Sequence, residues 1–217
     1  MKNLLVLPLL TSMVAFGQSF VPDAPELDLK SYILIEPNTN TVIAEFNSSS
    51  EIEPASMTKI MTVYVTADQI SNDLISIDDE VLISEKAWRM EGSRMFVEAG
   101  KKVSVSDLLK GIIIQSGNDA SVAISEYVGG TERGFVDLMN AYASSLNMNN
   151  TIFQNSTGLP DDNHFSSAQD LATLTSNLIT KFPDIYSFYK EKQFTFNDIK
   201  QLNRNKLLWR DDSSDGK

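Results

Sequence analysis

Pro54-Ala-Ser56-Met-Thr-Lys59-Ile-Met-Thr62 is the stretch on which the reading of this chain turns. It sets a hydroxyl and an amine at positions i and i+3, one helical turn apart on a single helix face. Ile60, Val63, Tyr64, Ala67 and Ile70 then recur at helical spacing, so the stretch predicts the opening of an amphipathic, buried helix. The start of such a helix suits a serine nucleophile, because its positive dipole end opposes a lysine cation and its free N–H groups favour an oxyanion. Taken alone, S-x-x-K also has a blander reading, a helix-opening serine followed by an exposed lysine.

Downstream, Gly111-Ile-Ile-Ile-Gln-Ser116-Gly-Asn118-Asp119-Ala120 places a hydroxyl and a carboxamide two residues apart between two apolar helical patterns. By itself this is an interhelical turn. Upstream, residues 31–36 and 41–46 are β-rich runs joined by Pro37-Asn-Thr-Asn40, which predicts a hairpin. Residues 71–103 read as an irregular excursion with short strands, among them 81–83 and 92–96. From Ser104, which with Asp107 forms a capping-box pattern, Leu108, Leu109, Ile112 and Ile113 predict a helix that stops at Ser116-Gly117. Three more helices follow: 119–128, ended by Gly129-Gly130; one N-capped by Thr131 with a Phe135, Leu138, Met139, Tyr142, Leu146 stripe; and 167–181, ended before Pro183. The expected class is α+β, an antiparallel sheet flanked by helices.

Together, in this order and sixty residues apart, Ser56-x-x-Lys59 and Ser116-x-Asn118 resemble the serine penicillin-recognising enzymes, whose third element is a Lys-Thr-Gly strand. Longer matches in residues 54–62 and 115–120, in Asn150-Thr-Ile-Phe-Gln-Asn155 with Gly158-Leu159, in Lys190-Glu-Lys-Gln-Phe-Thr-Phe196 and in Gln201-Leu-Asn-Arg204-Asn205 narrow the resemblance. They are similar to the D-alanyl-D-alanine carboxypeptidases, the low-molecular-mass penicillin-binding proteins of the bacterial cell wall, from about residue 27 to residue 217.

The resemblance implies a β-lactamase/transpeptidase-like sandwich and a peptidoglycan stem peptide as substrate, with β-lactams as acylating mimics and no cofactor. Carried onto matching positions, it makes Ser56 the nucleophile, Lys59 its base, Ser116 a proton relay to the leaving D-alanine, and Asn118 a holder of Lys59 and the substrate amide. Arg204 matches the arginine that meets the peptide's terminal carboxylate; on the residues alone a surface ion pair serves equally well. Two other readings stand beside hydrolysis of the terminal D-alanine: an endopeptidase acting on cross-links, and an inactive or truncated β-lactam- or peptidoglycan-binding protein. A class A β-lactamase fits less well, since no E-x-x-L-N-like element supplies a deacylating glutamate.

The chain departs from the family in one respect: it holds no Lys-Thr-Gly and closes on Asp215-Gly-Lys217. Lys217 is open to two readings, as the lysine of that motif after a shortened loop or as a residue at which the resemblance ends. The expectation is a partial catalytic domain over residues 18–217 that lacks the C-terminal strands of the fold. One oxyanion donor is implied beyond Lys217, and loss of such a donor costs on the order of 10²–10³ in turnover, so slow or no activity is expected. The membrane-associating C-terminal region common in the family is likewise not among these residues.

Composition bounds the remainder. The 217 residues suffice for one domain with a sizeable core. Lys2, the apolar run 4–16 and Ala15-Phe16-Gly17 read as a secretory signal over residues 1–17, which predicts a periplasmic chain beginning at Gln18. A membrane anchor is the competing reading, but the run falls short of the roughly 20 apolar residues a bilayer needs. The chain has no cysteine, hence neither a disulfide framework nor a thiolate nucleophile. A net charge of −11 argues against nucleic acid or anionic lipid as partner. His164 is the only histidine, so neither a zinc site nor a Ser-His-Asp triad is expected; in the polar loop Pro160-Asp-Asp-Asn-His164-Phe165 it reads as a residue without catalytic duty.

Overall fold

The computed structural model describes residues 26–216. The expected signal segment 1–17 and Lys217 lie outside the described residues. β1 (Tyr32–Glu36) and β2 (Thr41–Phe46) form the anticipated antiparallel hairpin, with Tyr32 opposite Phe46, Glu36 opposite Thr41 and a register slip between Leu34 and Ile35. Its turn is tied by the Glu36 carboxylate, which accepts from the backbone N–H groups of Asn38 and Thr39 at 3.1 and 2.7 Å.

α1 (Thr58–Ser71) is the buried helix that its apolar spacing predicts, and its burial extends beyond the apolar stripe. Met61, Val63, Tyr64, Val65 and Ala67 are buried together with Thr58, Lys59, Thr62 and Thr66, so the helix runs through the centre of the molecule. Its buried hydroxyls are satisfied at short range: Thr62 donates to the Ser156 carbonyl and Thr66 to the Thr62 carbonyl, each at 2.8 Å.

In the excursion that follows, β3 (Glu80–Leu82) pairs with β4 (Lys102–Ser104) around the short helix α2 (Glu85–Trp88). Residues 92–96 are not the expected strand. The N–H groups of Met95, Phe96 and Val97 turn to the Asp119 carboxylate instead of a strand partner. α3 (Val105–Lys110) starts at its Ser104 cap, which accepts from Asp107 N–H at 3.1 Å, and passes into a π turn over Gly111–Gln115 that ends at Ser116 in the left-handed region.

α4 (Asn118–Gly129) packs on α5 (Glu132–Ser145), and α6 (Ala168–Lys181) packs on α1 and on β1. The cap expected at α5 is present, Thr131 accepting from Gly134 N–H at 3.0 Å, and α6 has one as well, Ser167 accepting from Asp170 N–H at 3.1 Å. After α7 (Pro183–Tyr186), β5 (Gln193–Phe196) and β6 (Ile199–Leu202) close a hairpin around Asn197-Asp198, both at positive φ as a tight primed turn requires. The described residues are therefore α+β, with three separate two-stranded antiparallel sheets against a helical core. No helix among them is long and apolar enough to cross a membrane.

Two isolated bridges, Ile52 to Ser166 and Ile152 to Phe165, bring segment 150–166 alongside the approach to Ser56. That placement positions the site. Phe135 is fully buried where α5 meets the core, so Phe135→Ala is expected to cost about 3–5 kcal/mol in urea unfolding. Ser167→Ala, which removes only a cap, should cost about 1 kcal/mol.

Candidate active site

The approach to α1 is a single 3₁₀ turn, Ala55–Met57, with Ser56 at its middle and half-buried. Ala55 sits at φ +45°, uncommon for a residue with a Cβ. Behind it stands Gly158 at φ +80°, so close that a Cβ there would lie 1.8 Å from the Ala55 carbonyl oxygen. The turn is thereby backed by the 155–158 segment, which folds around one side chain: Asn155 Oδ1 accepts from the N–H and hydroxyl of Thr157 and from Gly158 N–H, at 3.1, 2.9 and 2.7 Å. Glu132 fixes the same segment from α5 by accepting from Ser156 N–H and hydroxyl, and Lys86 pairs with that carboxylate at 2.7 Å.

Lys59 is 1% exposed, and its Nζ makes three contacts: Asn118 Oδ1 at 2.8 Å, the Thr157 carbonyl at 2.6 Å and Ser56 Oγ at 3.4 Å. The bland reading of the motif, with an exposed lysine, does not hold. Both Asn118 Oδ1 and the Thr157 carbonyl accept only, so they fix two N–H bonds and leave the third direction toward Ser56. Burial lowers the Lys59 pKa to about 8, the nearby Arg204 cation adds to that, and the Asp119 carboxylate opposes it. A neutral Lys59 turns its lone pair to the Ser56 hydroxyl, the arrangement of a base and its nucleophile.

Ser116 and Asn118 reach the site through the π turn. The Gly117 N–H bonds the Gly111 carbonyl at 3.0 Å, Ser116 adopts φ +64°, and Asn118 opens α4 facing Lys59. Asn118 cannot swing away, because its N–H donates to the Ser93 carbonyl and its Nδ2 to the Glu91 carbonyl, both at 2.7 Å. The Ser116 hydroxyl is buried with no hydrogen-bond partner among the described residues. Arg204, just past β6, is exposed and donates to Ser93 Oγ at 2.5 Å; it faces no carboxylate in the ion pairs of the described residues.

The structure thus brings together Ser56, Lys59 and Asn118, with Arg204 near enough to act on the Lys59 charge and Ser116 two residues before Asn118, while Lys217 lies outside the described residues. Thr157, Ser93, Asn155, Glu132 and Asp119 were not identified from sequence. Thr157 contributes a backbone carbonyl, which no side-chain pattern can reveal, whereas Asp119 directly after Ser116-Gly-Asn118 was a legible candidate. His164, far from being a free loop residue, is 4% exposed and bonds Thr58.

The sequence profile of the D-alanyl-D-alanine carboxypeptidases matches residues 18–217. D-alanyl-D-alanine carboxypeptidase DacC of Escherichia coli is 44% identical over 201 residues, covering 90% of this chain and 50% of the relative. The chain spans about half the length of the curated relatives it matches. Penicillin binding protein 5 from Haemophilus influenzae superposes with a TM-score of 0.85 at 39% identity, over 88% of this chain and 56% of that one. Penicillin binding protein 6B from Escherichia coli gives 0.84 at 40% identity, over 88% and 62%. The fold is accordingly that of the penicillin-binding proteins and of the β-lactamase/transpeptidase group.

A ¹⁵N titration of the lysine Nζ groups should place Lys59 near 8, apart from the exposed lysines, and Arg204→Gln should move it upward by removing a like charge. Gly158→Ala should lower the thermal midpoint, since the left-handed conformation alone costs on the order of 1–3 kcal/mol and the new Cβ collides with Ala55.

Proposed function

The chain belongs to the D-alanyl-D-alanine carboxypeptidase family, and on that premise we propose that it is a serine-type carboxypeptidase that removes the terminal D-alanine from peptidoglycan stem peptides. The observation that carries this reading is the Lys59 amine, buried, directed at Ser56 Oγ and held on its other N–H bonds by two acceptors.

Neutral Lys59 takes the Ser56 proton as Oγ attacks the carbonyl of the penultimate D-alanine. The tetrahedral intermediate collapses to an ester on Ser56, and the leaving amine takes up the proton, with the Ser116 hydroxyl as relay between Lys59 and that nitrogen. Water then enters, delivers a proton to Lys59 as its oxygen attacks the ester carbonyl, and Lys59 returns that proton to Ser56 Oγ as the acyl product leaves. Asn118 keeps Lys59 aligned, and the Arg204 guanidinium receives the terminal carboxylate of the peptide. β-Lactams present a similar carbonyl and carboxylate, and they acylate Ser56 without releasing a leaving group. The substrate places the enzyme outside the cytoplasmic membrane, in the periplasm, with residues 1–17 as its export signal.

Intact mass after incubation with benzylpenicillin is the test. One covalent adduct is expected, absent in Ser56→Ala and formed about 10²–10⁴ times more slowly in Lys59→Ala. Because the base must be uncharged, the acylation rate should rise with pH through the Lys59 ionisation near 8 and fall as pH drops below it. A folded chain that acquires no adduct, and still acquires none when joined to a Lys-Thr-Gly strand, would overturn the reading.

A further inference from the structure

His164 holds two pieces of the site that are remote from each other in sequence. Its Nδ1 accepts from the Gln154 N–H at 3.4 Å, which leaves the ring proton on Nε2, 2.9 Å from Thr58 Oγ1. Thr58 lies between Ser56 and Lys59 on the nucleophile's own turn. Gln154 starts the segment whose Thr157 carbonyl accepts from Lys59. One imidazole therefore ties the helix side of the Lys59 cage to its loop side.

We propose that His164 is a positioning residue for the Ser56–Lys59 pair: its neutral Nε2–H tautomer braces the 56–59 turn against the 154–158 segment, and its protonation releases the brace. The inference rests on the acyl-enzyme reading above. A protonated ring has a donor at both nitrogens, so Nδ1–H would confront the Gln154 N–H and the contact would open. The ring is wedged edge-on against Phe153 at 5.7 Å, and its own backbone N–H donates to the Asp161 carbonyl at 2.9 Å. Charged groups around it are Asp161, Asp162, Glu51, Glu53 and Lys30, which line the adjoining groove, with Lys59 on the helix beyond Thr58.

Burial holds the His164 pKa below its usual value, and the Asp161 charge offsets only part of this. The ring is thus neutral at neutral pH and charges only on acidification. Two protonations then act on acylation at different pH, that of Lys59 near 8 and that of His164 lower down. Through the His164 midpoint the logarithm of the acylation rate should fall more steeply than slope one, by the tenfold to hundredfold that the brace contributes, before it returns to slope one.

The test combines penicillin acylation with NMR, which the single histidine makes unambiguous. His164→Gln keeps an N–H donor for Thr58 without a titration; it is expected to retain acylation at neutral pH and to keep slope one in acid. His164→Ala should acylate about tenfold to a hundredfold more slowly, the scale of a small misplacement of reacting groups. In the unmodified chain the imidazole ¹⁵N shifts should report the Nε2–H tautomer, with the Gln154 and Thr157 amide signals moving at the ring's own midpoint. A wild-type acid limb of slope one throughout, an Nδ1–H tautomer, or amide signals that ignore the ring titration would overturn the brace. If the wild type forms no adduct, even when joined to a Lys-Thr-Gly strand, the acyl-enzyme reading fails, and the NMR result alone decides whether the brace exists.

Discussion

The burial of one amine is the constraint around which this molecule is arranged. An ammonium or amine removed from water must find acceptors inside, or its burial costs several kcal/mol. Lys59 finds them on two segments far away in the chain, Asn118 at the start of α4 and the Thr157 carbonyl in the 155–158 turn. Neither acceptor is placed by its own local structure. Asn118 is held by the carbonyls of Glu91 and Ser93, and Thr157 by the Asn155 turn that Glu132 secures from α5. Satisfying one side chain thus fixes the mutual positions of α1, α4, α5 and the excursion before α3.

Backbone strain collects around the same point. Ala55, Phe96 and Ser116 all adopt positive φ without being glycine, and each is pinned from more than one direction. Asp119 holds Phe96 in place by accepting the N–H groups of Met95, Phe96 and Val97. The π turn before Ser116 shifts the hydrogen-bond ladder so that Gly117 N–H reaches Gly111, which swings Ser116 and Asn118 toward α1. Such conformations cost on the order of 1–3 kcal/mol each and persist only where the surroundings over-determine them. The fully buried apolar run of α1 and its packing on α4 and α6 supply that rigidity.

What the sequence made legible was what side chains announce locally. The 32–46 hairpin, the Ser104 and Thr131 caps, and the pairing of Ser56 with Lys59 all follow from turn chemistry, capping chemistry and helical spacing. What escaped depends on partners distant in the chain. Residues 92–96 have the composition of a strand, but Asp119 offers their amides a better acceptor than any neighbouring strand does. The burial of Thr62 and Thr66 within α1 is not announced by their side chains; their hydroxyls are absorbed by nearby carbonyls and they sit in the core. The inward turn of His164 is hidden in the same way, since a loop rich in Asp and Asn does not show it. Asn197-Asp198 between Phe196 and Ile199 is by contrast a turn signal that the sequence carries locally.

Electrostatics gives the site its last constraint. In a chain of net charge −11, the surroundings of Lys59 are locally cationic, because Arg204 is near enough to lower its pKa and is not neutralised by a protein carboxylate among the described residues. A substrate carboxylate seated on Arg204 would cancel that contribution and, taken alone, would drive Lys59 back toward its charged form. The same substrate would also cover the site and deepen the desolvation of Nζ. Desolvation is the larger cause of the lowered pKa and Arg204 the smaller, so neutralising the guanidinium would remove the smaller contribution and leave the larger one in place. An anion on Arg204 would therefore raise the Lys59 pKa only part of the way toward its usual value.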